Sequence, residues 1–234
     1  MAAVLWDAII LSGGRSSRLG YDKDELVGSD GRTTLDRVVD ACAGARRRVV
    51  VGPPRKIATA MSVTWAREEP PFSGPARAIA AGLEALGRQA GGDGDGPVVG
   101  RCDGDRCDGD GWVAAVACDI PKVASALTFL LATAAQIETT APVEAIVAVD
   151  EEGRRQWLCA LYRRSALRRA AAALPYGGSG ESARALIGGL ATVEQAVPVG
   201  STADIDTMEQ ARQLGFASPL MSATGSLIDN GIVD

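Results

Sequence analysis

The stretch 7-DAIILSGGRSSRLGYDK-23 runs an apolar segment straight into a glycine- and serine-rich turn that closes on a lysine. A short continuous apolar run bounded by a turn reads as a strand buried on both faces. Strand, glycine turn and lysine together form the arrangement in which backbone N–H groups and a cation cradle phosphate oxygens. The turn has no GK[ST] ending and no GxGxxG, so it is neither a Walker A loop nor a dinucleotide fingerprint. Taken alone, it is as compatible with a structural turn as with a phosphate site.

Further apolar runs at 48–52, 112–118 and 144–149 read as strands of the same kind. Between them lie helical patterns. "TTLDRVVDACAGA" offers a threonine cap with Leu35, Val38, Val39 and Cys42 on one face; "GPARAIAAGLEAL" offers Ile79, Leu83 and Leu86; "KVASALTFLLATAAQ" is a third. Strands alternating with helices predict an α/β fold, a Rossmann-like three-layer α/β/α sandwich with a mostly parallel sheet. Ligands in such sheets bind beyond the carboxyl ends of the strands, where the opening turn and the "CDIP" segment (118–121) would meet. A single domain over 1–234 is expected. It would carry one Gly/Asp-rich surface insertion at about 91–111, where "CDGD" occurs twice without the glutamate of a calcium loop, and a polar tail from about 219.

Composition narrows the chemistry. The net charge of −5 argues against a general nucleic-acid binder, and no apolar run reaches membrane-spanning length. The start "MAAVLWDAIIL" lacks the basic residues and cleavage site of a secretion signal, so a cytoplasmic location is expected. The five cysteines form no CxxC pair and read as free thiols. There is no histidine, which removes Ser-His-Asp and Cys-His catalysis and the common zinc enzymes. A metal here has to be a hard ion held by carboxylates.

"LSGGRSSRLGYDK" resembles the LAGGxSxRMGxDK signature of the MobA-like nucleotidyltransferases, which include the molybdenum cofactor guanylyltransferases. The likeness recurs in order: "REEPPFSGPARAIAAGL" resembles a Pro/Gly-rich stretch ending GPxAxIxAGL, and "ACDIPKV" a CDxP element. "LCALYRRSAL" is similar to an xLxALYRRxAL strand, "SARALIGGL" to an SxRxLLAGL helix, and "ADIDTMEQA" to a closing DIDTPEDL.

The resemblance implies transfer of GMP from GTP to the terminal phosphate of molybdenum-molybdopterin. Leu11, Ser12, Gly13, Gly14, Lys23, Glu69, Gly74 and Asp119 would bind the nucleotide, with Arg18, Lys23 and Asp119 as the catalytic set. Asp119, with Asp206 as a second candidate, would hold Mg²⁺, for which Mn²⁺ could substitute. Ser182 and Arg184 would meet the acceptor. Partners would be GTP, a molybdopterin-type acceptor and, transiently, cofactor-delivery proteins or molybdoenzymes, with no nucleic acid and no membrane. The double glycine Gly13–Gly14 favours GTP over CTP by this resemblance. Lys23 is one of only three lysines, so its place in the turn points to a role. Asp204 and Asp206 read equally well as helix N-caps before "TMEQA".

Departures also stand out. Asp24 and Glu25 follow Lys23 where relatives carry small or apolar residues, and their carboxylates would compete with a ligand for its charge. Gln156 and Trp157 replace a pair near the acceptor, Met208 replaces a proline, and Ser12 adds a hydroxyl that needs a partner. Two other readings stay open: guanylyl or cytidylyl transfer to another phosphorylated small molecule, and a non-catalytic nucleotide-binding paralogue.

Overall fold

A computed structural model of the chain describes residues 4–13, 22–90, 111–137 and 142–218. Gly14 and Arg18, nearly all of the expected insertion and the tail from 219 lie outside the described residues.

Seven strands form one sheet in the order β4-β3-β1-β5-β7-β6-β8. They are β1 (Trp6–Leu11), β3 (Arg48–Val51), β4 (Thr64–Ala66), β5 (Trp112–Ala117), β6 (Ala145–Val149), β7 (Arg155–Arg163) and β8 (Thr192–Ala196). A two-stranded ribbon pairs β2 (Val27–Gly28) with β9 (Phe216–Ala217). Every pairing in the large sheet is parallel except those of β7, which runs antiparallel to both β5 and β6. The turn between β6 and β7 explains the exception. Asp150 Oδ1 accepts from the backbone N–H groups of Glu152 and Arg154, and Gly153 takes a left-handed φ of 79°. So short a connection can return the chain only as a hairpin.

Both faces of the sheet are covered, giving three layers. Helices α1 (Thr34–Ala41) and α3 (Val123–Gln136) pack over Ala8, Ile10, Val50, Ala114 and Val116. Helices α2 (Pro75–Ala90), α4 (Arg164–Ala173) and α5 (Ala183–Ile187) pack over Ile9, Val49, Val51, Val113 and Ala115 on the other side. Alternation along β1 and β5 feeds each layer in turn, as a strand's two-residue period requires. Helix α1 begins at the expected threonine: Thr33 accepts from the Asp36 N–H while the Asp36 carboxylate accepts from the Thr33 N–H, a reciprocal capping box. A sixth helix, α6 (Met208–Gln213), closes a small cluster of Leu26, Ile205, Ala211 and Phe216 against the ribbon. Among the described residues no helix is long and apolar enough to cross a membrane.

The sheet is pinned at its amino-terminal edge by a buried charge. Asp7 is fully buried on β1 and accepts from Arg46 at 3.2 Å, from Arg47 at 3.0 and 3.2 Å, and from Arg164. These arginines come from the turn before β3 and the start of α4, so one carboxylate joins three elements. Removing it would take one shared carboxylate from three guanidinium groups, that of Arg164 among them being buried, and breaking such a network costs about 3–5 kcal/mol. Asp7→Asn is therefore expected to lower the unfolding free energy from urea titration by that amount, while the folded fraction keeps its turnover, because the site lies at the opposite edge.

Candidate active site

Register decides where the site forms. Leu11 pairs with Ala117, so β1 and β5 end level and release Ser12 and Cys118 side by side. The chain leaves β1 for β3 on one side and leaves β5 for β6, through α3, on the other. The crevice at their carboxyl ends is thus the topological switch point of the sheet. Backbone bonds hold this edge: Ser12 N–H donates to the Val51 carbonyl at 2.8 Å and Cys118 N–H to the Leu11 carbonyl at 2.9 Å. Only glycine fits next to it. Gly52 has φ 154°, and a Cβ there would lie 1.5 Å from the Ser12 carbonyl oxygen.

A cleft of about 540 Å³ opens at this edge, within the range of small-molecule sites. Its apolar walls are Leu11, Val51, Ala78, Ala117 and Leu158, with Phe72 and Pro75. Its polar groups come from Ser12, Gly13, Asp22, Lys23, Asp24, Glu68 and Asp119. The lysine sits in a 3₁₀ turn, Lys23–Glu25, whose Lys23 carbonyl accepts from Thr34 Oγ1 at 2.6 Å. Its Nζ lies 2.9 Å from Asp119 Oδ2 and 2.5 Å from Asp206 Oδ1. Burial alone would lower the Lys23 pKa, but the two carboxylates, Asp119 foremost, outweigh it and hold the value above 10.5. The ammonium is therefore charged throughout the neutral range and loses its proton only as pH rises beyond that raised value.

The closing segment of the domain is tied to the same place. Ile205 N–H donates to the Asp119 carbonyl at 3.1 Å, which brings Asp204 and Asp206 to Asp119; carboxylate oxygens of all three lie within 4.8 Å of one another. Burial, then Asp206 and Asp119, push the Asp204 pKa up, a sign of negative charge gathered in one spot. Neither Asp204 nor Asp206 caps α6. Thr207 does, in a capping box with Gln210, whose side-chain oxygen also takes the Asp206 N–H. The N-cap alternative for the two aspartates is thus corrected, and both carboxylates are left to the site.

Asp24 and Glu25 find their partner in Arg55, from the loop after β3. Its guanidinium reaches Asp24 Oδ2 at 3.2 Å, Glu25 Oε1 at 2.6 Å, and Asp22. Ser12 Oγ donates to the same Asp24 oxygen at 2.6 Å, which supplies the partner its extra hydroxyl required.

The remaining expected residues divide. Leu11, Ser12, Gly13, Lys23, Gly74 and Asp119 line the cleft. Glu69 is exposed outside the lining, and its neighbour Glu68 occupies the wall instead, with Oε1 accepting from the Phe72 N–H at 3.0 Å. Ser182 and Arg184 are exposed and do not line the cleft; Ser182 serves as the N-cap of α5, accepting from Ala185 N–H. The segment before them does approach it, since Gly180 N–H donates to the Ser73 carbonyl at 2.6 Å and Ala76 N–H to that of Glu181 at 3.3 Å. Gln156 bonds Asp150 Oδ2, and Met208 packs on the Leu26 cluster. Cys42, Cys118 and Cys159 are free and buried. Burial, then the Asp119 charge, raise the Cys118 thiol well above 9.0, which keeps it protonated at neutral pH.

The sequence has no histidine, and among the described cleft residues the Cys118 thiol is protonated and the Ser12 hydroxyl is engaged with Asp24. The cleft offers a fixed cation, clustered carboxylates and backbone N–H groups, which suit displacement at phosphorus by charge neutralisation and alignment. Known proteins agree. Residues 8–194 match the family model of the MobA-like NTP transferase domain. A probable molybdenum cofactor guanylyltransferase of Deinococcus radiodurans is 31% identical over 170 residues, 73% of this chain and 74% of the relative. In fold, the chain is similar to the molybdopterin-guanine dinucleotide biosynthesis protein A of Archaeoglobus fulgidus, with TM-score 0.57 and 16% identity over 93% of this chain and 100% of that one. It is equally similar to the 2-C-methyl-D-erythritol 4-phosphate cytidylyltransferase of Francisella tularensis, with TM-score 0.59 and 13% identity over 90% and 98%. A nucleotide-sized cleft at the switch point, a charged lysine among carboxylates and this match over most of the chain lead to one assignment: the chain belongs to the MobA-like NTP transferase family and is a nucleotidyltransferase.

Proposed function

We propose that the chain transfers GMP from GTP to the terminal phosphate of molybdenum-molybdopterin, releasing pyrophosphate. The observation that carries this reading is the Lys23 ammonium, held between Asp119 and Asp206 at the end of β1 and β5. The identity to a probable guanylyltransferase of the molybdenum cofactor supports the choice of donor and acceptor.

In the proposed step an acceptor phosphate oxygen attacks the α-phosphorus of GTP. A new P–O bond forms there, the bond to the bridging α–β oxygen breaks, and its electron pair leaves with pyrophosphate. Leu11, Ser12 and Gly13 would seat the nucleotide on the cleft floor, with Gly14 and Arg18 of the same turn as further contacts. Lys23 would stabilise negative charge as it gathers on the leaving group. The donor set among the described residues fits a hard divalent cation: three carboxylates, in a chain without histidine. Asp119 and Asp206, with Asp204, would hold Mg²⁺, which would neutralise phosphate charge and align the triphosphate when bound. Glu68, which lines the cleft where Glu69 does not, would take the place expected of Glu69 beside the nucleotide. Product hand-over to molybdoenzymes in the cytoplasm completes the reading.

The test is acceptor selection with α-labelled GTP and Mg²⁺. Label is expected to move to molybdenum-molybdopterin, with one pyrophosphate released per GMP transferred and CTP serving at least about tenfold less well, the discrimination that one or two base contacts provide. Transfer only to a different acceptor, such as phospholactate or a sugar phosphate, would assign the chain to a sister reaction. No pyrophosphate with any acceptor would leave a nucleotide-binding protein that has lost catalysis.

A further inference from the structure

The three carboxylates that flank Lys23 in sequence are gathered by one side chain. Arg55 Nε donates to Asp24, Nη1 to Glu25 and Nη2 to Asp22, so a single guanidinium grips the residues on both sides of the lysine. Arg55 is itself well anchored. It follows Pro53 and Pro54, whose rings fix φ, directly after β3. Just beyond it, Ala58 N–H donates to Asp36 Oδ1 and Thr59 Oγ1 to Asp40 Oδ1, each at 2.7 Å, tying the loop to α1. Ser12 and Thr34 complete the frame through Asp24 and the Lys23 carbonyl.

We propose that Arg55 is a positioning residue for Lys23: by binding Asp22, Asp24 and Glu25 it fixes the turn that aims the ammonium into the cleft and neutralises the carboxylates that would otherwise draw that ammonium away from phosphate. The inference rests on the reading of Lys23 as the phosphate-binding cation. Three donors in a planar fork, each engaged by a different residue, is a geometry that arginine supplies and lysine does not. The role is not simply to satisfy a surface charge, because Asp24 is buried and would be left with only the Ser12 hydroxyl. The same contacts explain how the chain tolerates acidic residues at 24 and 25.

The experiment is a double-mutant cycle on GTP affinity, measured by calorimetry on full-length protein with Lys23→Ala, Arg55→Gln and the double variant, and with thermal unfolding alongside. Arg55→Gln is chosen over alanine because it keeps a donor for Asp24 and hence the fold; Arg55→Lys serves as a second variant that keeps charge without the fork. Arg55→Gln is expected to weaken GTP binding about tenfold or more, Arg55→Lys to restore it only in part, and the double variant to be no weaker than Lys23→Ala alone, since Arg55 acts through the lysine. Fully additive losses, or a fall in unfolding temperature with unchanged affinity, would overturn the proposal. If Lys23→Ala binds GTP as well as wild type, the reading of the lysine fails first. If Lys23→Ala loses affinity and neither Arg55 variant does, the assignment of Arg55 alone fails.

Discussion

Lys23→Ala is expected to reduce kcat/KM for GTP by about 10²–10³, the usual loss when one preorganised charge-stabilising donor is removed from a reacting centre. Both parameters should move, since the ammonium would meet phosphate in the ground state and more strongly as charge passes to pyrophosphate. The fold should survive. Lys23 is partly exposed, and its loss removes two ion pairs while leaving Asp119 and Asp206 to repel each other in an accessible place. Partly exposed pairs are worth about 1 kcal/mol or less, so urea unfolding should shift by no more than about that. Steady-state kinetics on the folded variant provide the check. Wild-type turnover would remove the lysine from the mechanism.

Asp119→Asn is expected to have the second large effect. The substitution keeps shape, so the Ile205 N–H bond to the Asp119 carbonyl and the loop after β5 stay in place. It removes one negative charge from the cluster with Asp204 and Asp206 and weakens the Lys23 pair, which retains Asp206. Turnover should fall by about 10²–10⁴, and half-maximal activity should require roughly tenfold more Mg²⁺, because second- and first-sphere oxygen ligands tune cation affinity by such factors. The Mg²⁺ titration separates a ligand from a residue that only orients Lys23. A Lys23-orienting role alone would lower kcat without moving the Mg²⁺ requirement. Unchanged magnesium-dependent activity would pass the metal role to Asp206.

Much of this was legible in the chain itself, for local reasons. The central strands announce themselves as apolar runs because they are buried on both faces. The Thr33 cap and the Leu35, Val38, Val39 stripe follow from helix periodicity. The placement of Lys23 and Asp119 at one edge follows from parallel topology, since both leave the carboxyl ends of neighbouring strands.

What stayed hidden depends on long-range or alternating geometry. Nothing local ties Arg55 to residues about thirty positions earlier, or Asp7 to Arg164, because ion pairs between distant segments leave no periodic trace. Glu68 and Glu69 are adjacent and chemically equal; Glu68 is buried and takes the Phe72 N–H while Glu69 is exposed, and no local pattern distinguishes them. The aspartates of "DIDT" look like caps because aspartate is a favoured cap, yet the threonine one step later makes the reciprocal bond with Gln210. Ser182 and Arg184 are expected from likeness alone; both are exposed outside the cleft lining, with Ser182 capping α5.

The most direct test of the account is a crystal of the wild-type protein soaked with GTP and Mn²⁺, read by anomalous diffraction at the manganese edge. The account predicts an anomalous peak at the carboxylates of Asp119 and Asp206, with the nucleotide in the cleft over Leu11, Ser12 and Gly13 and its phosphates toward Lys23. A peak at other carboxylates, or a nucleotide bound away from the carboxyl ends of β1 and β5, would contradict it.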